Sequence, residues 1–260
     1  MAKSTSTAVA TTIKAIRKAL DDKTTEKPRP VAGSGKSGFR SLGVRLADVK
    51  QIARFLAESG GVPADLAGAV ALVDAAFARK VREEILVAVE VLANHQADFT
   101  PALFTHVDKW VASLDDLDVA AALGPLVVSP LLVQDTSRLA TVRKWARTRS
   151  VGRRCLAVLS VSALISDGRR DVAPTLEICE LLLNEDHPVL VAEVAALLRN
   201  ATRIDAKAVQ DFLFRRSVDG NPDILRAGSE NLDAARRAAL IAKLEAQAAL
   251  ATPPPVEAAR

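Results

Sequence analysis

Two clusters of side chains in this chain have the means to do chemistry. Asp115, Asp116 and Asp118 place three carboxylates within four positions. An aspartate at a helix start accepts bonds from free backbone N–H groups and complements the helix dipole; the same carboxylate can instead face a cationic centre. On spacing alone capping is the stronger reading, because Asp is a preferred N-cap residue. The second cluster is RLATVRKWARTRSVGRRCLAVLS, residues 138–160, which holds Arg138, Arg143, Lys144, Arg147, Arg149, Arg153 and Arg154 and no acid. Arg143 and Arg147 lie one helical turn apart, and Arg149, Arg153 and Arg154 straddle the next predicted helix start. A guanidinium offers a planar fork to phosphate, and a run of like charges needs neutralising. Phosphate, or the acidic segment 51–135, would do so, and the sequence favours neither.

Other motifs carry less. PVAGSGKS, residues 30–37, looks like a phosphate-binding loop, but Pro30 stands where the first glycine belongs and no strand precedes it, so a nucleotide triphosphatase is set aside. His95, His106 and His187 are scattered, and no Cys/His spacing supports a metal. Cys155 and Cys179 fall in apolar helical stretches and read as buried thiols. No cofactor is implied.

The elements that must position these residues are helices. Ala, Leu and Val dominate, tyrosine is absent, and hydrophobic residues make up 49% of the 260. A first helix is predicted from Ala8 to Leu20, followed by a polar linker, residues 21–38. From Leu46 onward amphipathic stripes follow one another: Val81, Ile85, Val89 and Leu92; Leu103, Val107, Trp110 and Leu114; Leu190, Val194 and Leu197. Breaks such as SGGVP (59–63), LGP (123–125) and DGNPD (219–223) carry helix-ending residues. LVVSPLLV, residues 126–133, is broken by Pro130 and reads as helix. Helix pairs at such intervals fit an all-α, HEAT-like or armadillo-type solenoid. The expected organisation is a helix and linker at 1–38, a repeat domain at 39–250 and a tail at 251–260. No apolar run nears the ~20 residues that cross a bilayer, and a cytoplasmic protein is expected.

The net charge of +4 is unevenly spread. Residues 1–50 hold 11 Lys/Arg against 4 Asp/Glu, 51–135 hold 5 against 12, and 136–166 hold 7 against none. Were the fold to gather the two basic blocks, the surface would suit a polyanion.

Three stretches resemble the AlkD-type DNA alkylation repair family: Leu42-Gly43-Val44-Arg45 with Asp48-Val49-Lys50; Trp145-Ala146 through Arg153-Arg154-Cys155; and His187-Pro188-Val189 to Leu198-Arg199, continuing to Asp205 and Phe212-Leu213. The likeness spans roughly residues 38 to 245. It implies a HEAT-like repeat protein that binds double-stranded DNA through its phosphate backbone and releases cationic N3- and N7-alkylated purines. By position, Asp118 matches the family's catalytic Asp and Arg153 its phosphate-holding Arg. Arg143, Lys144, Arg147, Arg149, Arg154, Arg45 and Arg199 are the other candidate DNA-binding residues. The chain departs from the pattern at Leu114 and Ala196, where the family has tryptophan, and near Ala192, where it has lysine. The resemblance therefore implies a divergent member, a weakened monofunctional glycosylase. The alternative is an inactive helical-repeat scaffold for protein–protein interaction.

Overall fold

The protein is described from a computed structural model covering residues 2–24, 39–165 and 171–251. The phosphate-loop-like run 30–37, the linker from 25 to 38, part of the 166–171 break and the tail from 252 lie outside the described residues. The described chain is all-α, without a strand. An isolated parallel bridge joins Arg40 to Val81. By contact density it divides into two compact units, residues 1–163 and 164–260.

The first unit contains α1 (Ala2–Asp21), α2 (Leu46–Glu58), α3 (Leu66–Arg79), α4 (Arg82–Ala93), α5 (Phe104–Ala112), α6 (Leu117–Leu123), α7 (Ser129–Gln134), α8 (Leu139–Ala146) and α9 (Val151–Ser160). A π-helical turn, Gly124–Val128, runs α6 into α7. The helices form two layers. In one, α1 packs on α3, α3 meets α5, and α5 meets α8. In the other, α2 packs on α4, α4 on α6 and α6 on α9. Each helix has one apolar face to bury, and stacking next-but-one neighbours buries all of them in one continuous core. Aromatic pairs fill the first layer's seams. Phe77 stacks on Trp110 at 5.9 Å and Phe104 on Trp145 at 5.7 Å, so both tryptophans are core residues.

The stretch Leu117–Gln134 forms 18 nearly continuous helical residues with mean hydropathy 1.7, running through the break expected at LGP. By length and composition it could cross a membrane, but 56% of it is buried, where it packs on α4 and α9. It is the central core helix of its unit. Gly124 permits that packing: a Cβ there would sit 2.8 Å from Leu159 Cβ.

The second unit contains α10 (Ala173–Leu181), α11 (Pro188–Thr202), α12 (Ala206–Arg216), α13 (Pro222–Gly228) and α14 (Ala234–Ala251). Its centre is α11, whose Leu190, Val194, Leu197 and Leu198 are buried and which packs on α10, α12 and α13. Cys179 is buried on α10, and loss of hydration pushes its thiol far above the usual range.

Candidate functional site

The second layer of the first unit brings the starts of α2, α4, α6 and α9 into a linked series. Ahead of α2, Ser41 Oγ donates to Glu83 Oε1 at 2.7 Å, and the Leu42 and Gly43 amides donate to the same carboxylate at 2.9 and 3.2 Å. Gly43 has φ +77°, a left-handed turn that lets consecutive amides converge. Glu83 is fully buried in the first turn of α4 and pairs with Arg82 at 2.9 Å. Arg82 reaches on to α6, its Nη1 2.9 Å from Asp118 Oδ2. Asp115 accepts from Ser150 Oγ at 2.8 Å, joining the α6 start to the α9 start. The fit there is close: a Cβ on Gly152 would lie 2.8 Å from the Asp115 and Asp116 backbone.

The three aspartates divide the roles their spacing left open. Asp116 is the N-cap of α6 and accepts from the Val119 amide at 3.0 Å. It is buried, and desolvation pushes its carboxyl pKa up, with the neighbouring Asp118 charge adding to the rise and the Val119 bond opposing it. Asp115 holds the α9 turn. Asp118, like Asp115, is part-exposed: its side chain is 37% exposed, pinned on one side by Arg82, and lies on the wall of a cavity of about 260 Å³.

The expected basic residues separate by what they touch. Arg153 Nη2 donates to the Ala112 carbonyl, and Arg154 Nη1 donates to the carbonyls of Thr148 and Arg149 at 3.1 and 2.8 Å, so both hold turns together. Arg45 pairs with Asp48 at 2.8 Å, and that hydrogen bond holds the Asp48 carboxyl below its ordinary range. Arg143 is half-buried on α8. Lys144, Arg147 and Arg149 are exposed; the two guanidinium groups make no ion pair with the described residues. In the second unit Arg199 donates to the Ala227 carbonyl at 3.1 Å and lies 3.4 Å from Glu230. Asp118 and Arg153 therefore sit at the starts of packed helices, α6 and α9, each with its own partner.

Sequence reasoning missed Arg82, although a signal was present. A cation at a helix start opposes the helix dipole, and Arg45 at the N-cap of α2, Arg82 in the first turn of α4 and Arg153 in the first turn of α9 repeat that anomaly at three of the four helix starts.

The sequence model of the DNA alkylation repair enzyme family matches residues 14–232. The chain belongs to that family. No curated protein matches it significantly in sequence. Among solved structures it is similar to one described as a predicted DNA alkylation repair enzyme from Enterococcus faecalis. The two share 14% identity and a TM-score of 0.56 over 81% of this chain and 99% of the other, a likeness of fold.

Where the family resemblance places aromatic residues, this chain has none. Leu114 is 1% exposed and packs into the core, and Ala196 is half-buried on α11. The cavity beside Asp118 is lined mainly by aliphatic groups, Leu46 and Val49 of α2, Leu86 of α4 and the α6–α7 stretch, with Lys50, Glu90 and Asp118 as its charged residues. Of the three histidines, His106 pairs with Asp74 at 3.1 Å, away from this cavity. Among the described residues no cluster of His, Cys, Asp and Glu could hold a metal.

Proposed function

We propose that this protein binds the phosphate backbone of double-stranded DNA along the linked starts of α2, α4, α6 and α9, and slowly excises cationic N3- and N7-alkylated purines with Asp118 as the electrostatic residue. The stacked layers then read as HEAT-like repeats, and the setting as cytoplasmic. The observation that carries the reading is Asp118 itself. It is a part-exposed carboxylate held by Arg82 at a cavity, on an edge where four helix dipoles present their positive ends.

The chemistry requires little more. A cationic alkylpurine is already a good leaving group. As the C1′–N bond breaks, its electron pair moves to the base, which departs neutral, and the sugar becomes an oxocarbenium ion. A fixed carboxylate stabilises that positive charge, and such preorganised electrostatics is commonly the largest catalytic effect. Water adds to C1′ and gives up its proton. Arg82 keeps the carboxylate oriented without filling the cavity. Lys144, Arg147 and Arg149 are the cations best exposed for phosphate.

The test is 7-methylguanine release from methylated duplex DNA. Asp118→Asn should lower the rate by about 10²-fold or more. Equal release by both proteins, or release by neither, removes Asp118 from the reaction.

A further inference from the structure

We propose that Arg40 and Lys80 form a second phosphate-binding site, on the far side of Asp118 from Arg147 and Arg149, so that the DNA backbone is held on both flanks of the reacting sugar. This rests on the duplex-binding reading above and assigns that binding two residues outside the basic segment 138–154. Three observations support it.

The first is where the backbone puts them. The segment ahead of α2 lies against the segment ahead of α4: the Arg40 amide donates to the Lys80 carbonyl at 2.8 Å, and the Arg82 amide donates to the Arg40 carbonyl at 2.9 Å. Phe39 and Ser41 are buried on either side of Arg40, and Val81 is buried between Lys80 and Arg82, which leaves Arg40 and Lys80 exposed. Arg82 is the residue that holds Asp118. In the packed series α4, α6, α9, Lys80 stands two residues ahead of one outer helix and Arg149 two ahead of the other, with Asp118 on the helix between. At roughly 8–10 Å per packed pair, the two cationic points lie up to about 20 Å apart, a span of about six base pairs of rise.

The second is charge. Glu84 is shared by Arg17 and Arg79, and Arg82 joins Glu83 to Asp118. Arg40 lies near enough to Glu84 to favour its charge, with Asp21 at the end of α1 the other carboxylate close by. Yet the Arg40 and Lys80 side chains make no ion pair with the described residues. Unpaired cations beside the positive end of the α4 dipole raise the local potential, and an anion seated there relieves it.

The third is strain. Lys80 ends α3 with φ +56° and ψ +36°, in the left-handed region, and among the described residues it is the only one other than glycine with positive φ. Glycine or asparagine is the usual occupant of a helix-ending residue in that conformation. A lysine there costs stability, and such outliers cluster at binding sites.

The experiment follows binding of the full chain to a fluorescent DNA duplex by anisotropy across a range of salt. Lys80→Gly and Arg40→Ala should each lower the salt slope by about 1, as loss of one phosphate contact does, and Lys80→Gly combined with Arg149→Ala should lower it by about 2. Lys80→Arg keeps the charge and should keep the slope. Lys80→Gly should also melt at or above the parent's temperature, because glycine adopts the left-handed conformation without strain. Weaker binding by a protein of equal or greater stability is what a merely structural lysine would not produce. Parent-like slopes in both Lys80→Gly and Arg40→Ala, with the slope of Arg149→Ala still lowered, overturn the inference and leave the proposed function standing. A parent protein that fails to bind duplex even at low salt overturns both.

Discussion

Neutral pH is where Asp116 works against the fold. Burial raises its carboxyl pKa above the unfolded value, so it favours the folded state below the unfolded pKa, near 4, and that contribution is lost as pH rises through the folded pKa. Asp116→Asn keeps a capping oxygen for the Val119 amide and removes the buried charge. The variant should equal or exceed the parent in urea denaturation at pH 7, and its relative advantage should vanish by about pH 4; an advantage that grows on acidification would refute this. Leu114 makes the opposite point about identity. It fills core space, so Leu114→Trp, which writes the family's aromatic back, should overpack it and cost about 1–3 kcal/mol in thermal unfolding without speeding excision. A stable, faster variant would mean the side chain turns outward.

At the scale of elements, the helices were legible and their termini were not. The stripes of Val81, Ile85, Val89 and Leu92, and of Leu190, Val194 and Leu197, mark buried faces because a 3.6-residue period survives in any packing arrangement. The LGP run looked like a break; instead a π-turn carries the chain through into the helix expected around Pro130, since burial against α4 and α9 outweighs local propensity. The carboxylate at Asp118 could be named from its place in the family pattern. Its partner could not, because Arg82 lies 36 residues away and meets it only through the stacking of α4 on α6. Arg154 shows the converse: a cation expected at phosphate turns its Nη1 to the Thr148 and Arg149 carbonyls. Close packing sets the register between α6 and α9. Gly152→Ala pushes a Cβ into the Asp115–Asp116 backbone, and either the helix or the turn must move. Calorimetry should find a loss of about 1–3 kcal/mol, with excision falling further than stability because the Asp118 turn shifts. A variant as stable as the parent would show that the turn yields freely.

Across the whole molecule the separating measurement is salt. A backbone-binding protein loses affinity as salt rises, with a slope near 0.9 per neutralised duplex phosphate. Arg147→Ala and Arg149→Ala should each reduce that slope by about 1 and leave folding unchanged, since both side chains are exposed. A slope untouched by either, or no duplex binding even at low salt, favours the interaction-scaffold reading. The stacked ring pairs have one more consequence. Trp110 and Trp145, the chain's two tryptophans, both belong to the first unit, so indole emission is blind to the fate of α10–α14. Circular dichroism at 222 nm registers every helix. Heated together, coincident curves would mark one cooperative transition, and a separation between them would time the melting of one half against the other.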